Sequence, residues 1–215
     1  MPPLECTPMP DRDRLEADLA AFYDQQAPRR LARGDAGQWR EAARDAFLAQ
    51  LRLEGRTTLL EVGTGAGHDA AAFRDAGLRV AGIDLSPEHI RICREREIDA
   101  RLASVLELPF EDGSFAAGWT MSTLLHVPND RIDAALDEIA RVLVPGAPLA
   151  IGLWAGPDEE AVNADDTIEP RRFFSRRSDR RLREILERHG TIERFETWDI
   201  PDTDWPYQLA VVRMP

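Results

Sequence analysis

The sequence predicts an α/β fold built on a doubly wound, parallel sheet, and three observations carry that prediction. An apolar run, Thr58-Leu59-Leu60, climbs to Glu61 and is followed by Gly63, Gly65 and Gly67, then by an alanine-rich amphipathic stretch from Ala70 to Ala76. This is the pattern of strand, glycine turn and helix. A second apolar run, Leu78 to Ile83, ends on Asp84 and gives way to Ser86-Pro87, a good helix opening. Strand-like and helix-like segments then keep alternating to Trp154, as parallel sheets with crossover helices require.

Taken in order, residues 1–12 hold four prolines and read as a mobile tail before a single domain over 13–215. Leu15, Leu19, Phe22 and Tyr23 recur at helical spacing, which predicts a helix over Arg12–Gln26, broken by Pro28 and by Gly34–Gly37. Trp39, Ala43, Phe47, Leu48 and Leu51 form a second helix ending before Gly55. Together 13–55 make a helical cap. Strands are expected at Thr57–Val62, Arg79–Asp84, Ala100–Ala103, Phe115–Met121 and Leu149–Trp154. The intervening helices cover Gly67–Asp75, with Gly77 as C-cap, a stretch from Ser86 to about Glu97, and one capped by Asn129 or Asp130 and stopped by Pro145-Gly146. Residues 155–178 depart from the pattern and read as a lid or substrate loop. A helix at Asp179–Arg188 follows, with Leu182, Ile185 and Leu186 inward. Thr191–Ile200 and Tyr207–Arg213 are expected to pair as an antiparallel hairpin at the sheet edge.

The composition narrows the function. With 215 residues and a formal net charge of −12, the chain would repel nucleic-acid phosphates. No apolar run approaches the roughly 20 residues that a membrane span needs. Cys6 and Cys93 form no pairing framework, and the histidines His68, His89, His126 and His189 show no zinc spacing. The expectation is a cytoplasmic, metal-free protein, monomeric or homodimeric, acting on a small molecule.

The chemistry concentrates around the glycine turn. Glycine permits positive φ and close approach of a ligand to the main chain, and the helix behind it offers unpaired N–H groups. An acid at the end of the next strand, Asp84, suits ribose hydroxyls, so the two strand ends make an adenosine-type site. His126 follows the fourth strand and has the right basicity to take a substrate proton. Tyr23 lies on the capping helix, and both are candidate catalytic residues. Arg171 and Arg172 are candidates for an anionic substrate group, and Phe174 for a pocket wall. The remaining arginines, 176 to 183, read as a solvated helix face.

At this point the motifs resemble the class I S-adenosylmethionine-dependent methyltransferases, small-molecule branch. Glu61-Val62-Gly63-Thr64-Gly65-Ala66-Gly67, Gly82-Ile83-Asp84-Leu85-Ser86, Leu106–Phe115, Leu124-Leu125-His126-Val127 and Arg141–Leu149 follow one another at the family's intervals. The resemblance implies a Rossmann-like sheet of seven strands, mostly parallel with an antiparallel last strand, and helices on both faces. It implies S-adenosyl-L-methionine as cofactor. Glu61, Gly63, Thr64, Gly65 and Gly67 would then form the first binding motif. Asp84 would accept the ribose hydroxyls and Leu85 would pack on adenine. Ser104, Val105 and Leu106 would hold the adenine edge, and main chain near Thr120 would bind the amino group. Ser104 stands where the family often has an acid. The implied activity is methyl transfer to O or N of a small molecule. Two rivals remain open: an NAD(P)-dependent oxidoreductase, whose fingerprint would need a glycine at His68, and a non-catalytic S-adenosylmethionine-binding protein.

Overall fold

The computed structural model describes residues 11–34, 38–201, 203 and 205–215, so the 1–12 tail lies almost wholly outside the described residues. Two helices, α1 (Arg12–Arg33) and α2 (Gln38–Leu53), precede β1 (Thr58–Val62). The alternation then runs α3 (His68–Asp75), β2 (Arg79–Asp84), α4 (Pro87–Glu95), β3 (Asp99–Leu102), β4 (Ala117–Met121), α5 (Ile132–Val142) and β5 (Pro148–Trp154). A short hairpin, β6 (Glu159–Val162) with β7 (Phe173–Arg176), separates this core from α6 (Asp179–His189), β8 (Thr191–Trp198) and β9 (Tyr207–Arg213).

The main sheet has seven strands in the order β3-β2-β1-β4-β5-β9-β8. The first five are mutually parallel, while β9 runs antiparallel to both β5 and β8. Side chains alternate between two cores because a strand points successive residues to opposite faces. Leu60 and Val62 pack with Leu136 and Ile139 of α5 and Ile185 of α6. Leu59 packs with Phe47 of α2, Phe73 of α3 and Trp119 of β4 on the other face. The chain reverses its winding between β1 and β4, which leaves a crevice at their carboxyl ends.

Four local expectations differ. The first helix does not stop at Gln26; it continues through Pro28 to Arg33. A proline removes only one helical N–H, and the extension is anchored by Ala27 packing on Ala66 and Ile92 and by the Arg30 guanidinium over the Tyr23 ring. Asn129 and Asp130 do not cap α5; Arg131 holds that position without a side-chain cap. Asn129 Oδ1 instead accepts from Arg177 Nε at 3.0 Å. The α3 C-cap is Ala76, and Gly77 follows it at φ +98°. Finally, 155–178 is not loop throughout, since β6 and β7 pair antiparallel, with Ala161 opposite Phe174. Among the described residues no helix is long and apolar enough to cross a membrane.

Candidate functional site

A cavity of ≈ 830 Å³ opens at the carboxyl ends of the central strands. Its floor is the glycine turn and the segment after β4; its roof is α1 and β7. The first strand delivers Gly63 at φ +76° and Gly65 at φ +55° to that floor. A Cβ on Gly63 would stand 2.0 Å from Thr123 Oγ1, so glycine lets the β1 and β4 ends close together. A Cβ on Gly65 would meet nothing within 4 Å, so here glycine keeps ligand space open.

Asp84 closes β2 and faces the cavity with its carboxylate already aimed. Oδ2 accepts from the Gly65 N–H at 2.8 Å, and Oδ1 from the Ser86 N–H at 2.9 Å. Oδ2, with one donor, keeps a lone pair for a hydroxyl. His89 approaches Oδ1 through Nδ1 at 3.3 Å, and as the carboxylate can only accept, Nδ1 donates. His89 Nε2 is then a buried acceptor with no partner at the cavity wall. Leu85, Ser104, Val105 and Leu106 complete this half. Ser104 Oγ donates to Glu16 Oε1 of α1 at 2.6 Å and accepts from the Leu106 N–H at 3.1 Å. A carboxylate therefore stands beside Ser104 after all, supplied from 88 residues away.

Four expected site residues do not line the cavity. Gly67 is the N-cap of α3, and a Cβ there would strike Ile98 Cδ1 at 2.4 Å, so its role is helix packing. Glu61 is 1% exposed and accepts from Thr64 Oγ1 at 2.8 Å; Thr64 itself reaches the cavity wall. Burial, and Asp69 next, push the Glu61 carboxyl up to about 8. Thr120 is buried inside β4, and the cavity is reached by Met121, Ser122 and Thr123. Arg171, in the loop before β7, is exposed and pairs with Glu169 at 3.0 Å.

Behind the floor, Asp69 at the start of α3 is fully enclosed. It accepts from Arg40 Nε at 2.8 Å, Arg44 at 3.0 Å and Trp119 Nε1 at 2.8 Å. Burial alone would raise this carboxyl, but Arg40, Trp119 and Arg44 together hold it below the usual range. The network locks α2 to the glycine turn.

Residues 60–151 match the family model described as a methyltransferase domain. Over those residues the chain carries a methyltransferase domain. It is similar to a methyltransferase of Streptomyces halstedii, 36% identical over 102 residues, covering 43% of this chain and 36% of that protein. It is also similar to a demethylmenaquinone methyltransferase of Renibacterium salmoninarum, 30% identical over 153 residues, covering 67% of this chain and 62% of that protein. The chain thus spans only about a third to three fifths of these curated relatives. In fold it resembles the 1,6-didemethyltoxoflavin-N1-methyltransferase of Burkholderia thailandensis, solved with S-adenosylhomocysteine, at TM-score 0.76 and 21% identity over 96% of this chain and 92% of that one. A [4+2]-cyclase shares the fold as well, at TM-score 0.68 and 23% identity over 92% of this chain and 95% of that one, so the fold alone fixes no chemistry.

The methyltransferase domain's cofactor half fits an adenosyl ligand on its own evidence. Open space lies over Gly65, Asp84 Oδ2 offers a spare lone pair, and His89 Nε2 lacks a partner. Next to His89, with ring centroids 6.0 Å apart, Tyr23 of α1 meets His126 of the 3₁₀ turn Leu124–His126. The Tyr23 hydroxyl lies 2.7 Å from His126 Nε2, and His126 Nδ1 lies 2.8 Å from the Phe173 carbonyl. A carbonyl only accepts, so Nδ1 carries the proton and Nε2 accepts from Tyr23. Burial pushes His126 down to about 4, against the Phe173 bond and aided by the charges of Arg172 and Arg30. Arg172 lines the cavity but is bound to Asp166 through Nε at 2.9 Å. Phe174 packs its ring 4.9 Å from that of His126.

Sequence reasoning missed His89, Glu16 and Arg176. His89 carries a local signal, five residues beyond Asp84 on the first turn of α4. Glu16 has none, since only the docking of α1 brings it to Ser104.

Proposed function

We propose that the chain transfers a methyl group from S-adenosylmethionine to an oxygen or nitrogen of a small molecule, in the cytoplasm. One observation carries the reading: the Tyr23 hydroxyl bonded to His126 in the same cavity as Gly65 and Asp84. Asp84 and the glycine turn would hold the ribose, with Glu16, Ser104 and Leu85 around the base. When bound, the cofactor supplies a methyl group already activated by its sulfonium. The protein's part is then to align the acceptor, and orientation contributes on the order of 7–11 kcal/mol.

Tyr23 performs that alignment in a particular way. Its O–H is spent on His126 and Arg172 donates to its oxygen, so what Tyr23 offers a ligand is the remaining oxygen lone pair. It selects an acceptor atom that still carries a hydrogen. The acceptor's proton leaves along the bond to Tyr23 Oη as the tyrosine's own proton moves to His126 Nε2. His126 is a weak base and stays neutral in the resting protein. The relay therefore suits a phenol or another group whose acidity rises as it is methylated. The β6–β7 hairpin, which brings Phe174 and Arg172 to the cavity, acts as the lid over the acceptor. A net charge of −12 favours a small acceptor over a nucleic acid.

The test is Tyr23→Phe, assayed by transfer of labelled methyl to phenols, hydroxy acids and amines. General acid–base assistance is worth about 10²–10⁴-fold, so kcat falls by at least about 10²-fold while S-adenosylhomocysteine binds as before. A kcat within a few-fold of the parent removes Tyr23 from the reaction.

A further inference from the structure

The half of the cavity away from Asp84 is built from flat rings and arginines, and the arginines differ in what they bind. Arg12 is paired with Glu16, Arg40 with Asp69, and Arg172 with Asp166. Arg176 and Arg30 also line the cavity, yet neither makes an ion pair among the described residues. The Arg176 guanidinium stacks between two rings, 5.0 Å from the Phe174 centroid and 4.6 Å from that of Trp205. Its stem is seated on Gly156, where an added Cβ would stand 2.9 Å from Arg176 Cδ. Arg30 lies over the Tyr23 ring at 4.7 Å. Trp154 adds another flat face, fixed edge-on against Tyr207 at 5.1 Å.

Resting on the methyl-transfer reading above, we propose that the acceptor is a hydroxyaryl carboxylate: a planar ring with a phenolic hydroxyl at Tyr23 and a carboxylate on Arg176. A stacked guanidinium keeps its N–H edge free, and that edge matches a carboxylate with two parallel hydrogen bonds. A ring placed against Phe174 and Trp154 joins the two ends. Arg30 stands beside Tyr23, where its charge stabilises the negative charge that develops on the phenolic oxygen as its proton leaves. That suits a site whose histidine is a poor base, because an acceptor that ionises readily needs little help to lose its proton. In the balanced step the phenolic oxygen forms a bond to the methyl carbon, the carbon–sulfur bond breaks with its electron pair leaving on sulfur, and the phenol proton goes to Tyr23 and His126.

The experiment uses the full chain loaded with S-adenosylhomocysteine. Tryptophan fluorescence, reporting on Trp154 and Trp205, follows titration with 4-hydroxybenzoate, 4-hydroxycinnamate and 6-hydroxy-2-naphthoate, each beside its methyl ester and with tyramine as the cationic control. The expected result is that at least one acid binds about tenfold or more tightly than its ester, the span of a charged hydrogen-bonded pair. Arg176→Gln abolishes that preference, Arg176→Lys keeps part of it, and both retain affinity for S-adenosylhomocysteine, which shows them folded. Equal binding of acid and ester, tighter binding of tyramine, a preference that survives Arg176→Gln, or no binding of any probe overturns the proposal. Failure to bind S-adenosylhomocysteine at all would instead overturn the methyl-transfer reading, so the two failures are distinct.

Discussion

Alanine placed at Gly63 and at Gly65 separates two uses of glycine in one turn. Both residues have left-handed backbone, at φ +76° and +55°, so each substitution costs about 1–2 kcal/mol of strain. At Gly63 the new Cβ also lies 2.0 Å from Thr123 Oγ1, whose hydroxyl donates to the Val62 carbonyl at 3.1 Å. Overpacking of that kind adds about 1–3 kcal/mol. Gly63→Ala is therefore destabilised by roughly 2–5 kcal/mol, and at 2–4 °C per kcal/mol for a chain of this size its Tm falls by roughly 4–20 °C. At Gly65 the Cβ meets no protein atom, so stability falls only by the strain. Yet that Cβ occupies the space assigned to the ligand, and the same overpacking now weakens binding, by roughly 5- to 150-fold. The assays are thermal unfolding without ligand and calorimetric titration with S-adenosylhomocysteine. A Gly65→Ala protein that binds as tightly as the parent would refute the placement of the ligand over the turn. A Gly63→Ala protein with unchanged Tm would refute the close approach of β1 and β4.

Three further outcomes follow from the site. His126 sits near 4 when folded and near 6.5 when unfolded, so as pH falls from 7 to 5 the unfolded chain gains a proton that the folded one refuses. Stability at this residue drops by at most about 2 kcal/mol over that interval, and urea unfolding of His126→Asn shows a shallower pH slope; identical slopes contradict the assignment. Asp69→Asn removes the carboxylate shared by Arg40, Arg44 and Trp119 and costs about 3–5 kcal/mol in urea unfolding; a loss below 1 kcal/mol would mean the network is not a stabilising lock. Glu61→Gln acts in the opposite sense to both. Its carboxyl sits near 8 when folded against about 4.5 when unfolded, so its contribution to stability declines as pH rises from 4.5 to 8, and the glutamine variant gains on the parent at pH 8.

The alternation of β1 to β5, the glycine turn and the acid at Asp84 were legible because each is written in a short stretch. Leu59 and Leu60 part to opposite cores by the period of a strand, and Ser86-Pro87 opens α4 with a local cap, the Ser86 hydroxyl accepting from the His89 N–H. The pairing of Tyr23 with His126 was not legible, although both residues drew attention singly, because 103 residues separate them and only the docking of α1 over the sheet end brings them together. The extension of α1 from Gln26 to Arg33 was hidden by Pro28, where a propensity rule lost to tertiary anchoring. Arg176 was read as part of a solvated run, since periodicity across Arg171–Arg183 does not reveal that Phe173–Arg176 is a strand with Arg172, Phe174 and Arg176 brought to the cavity. Asn129 has the chemistry of an N-cap, but buried Arg177 makes the stronger demand on it.

The central claim is that the turn at Gly65 and the carboxylate of Asp84 hold S-adenosylmethionine. Calorimetric titration with S-adenosylmethionine, S-adenosylhomocysteine and NAD, on the parent chain and on Asp84→Ala shown folded by circular dichroism, tests it most directly. The account predicts that the first two ligands bind the parent, that both are lost in Asp84→Ala, and that NAD binds neither protein. Binding of NAD, or full retention of S-adenosylhomocysteine without Asp84, would contradict it.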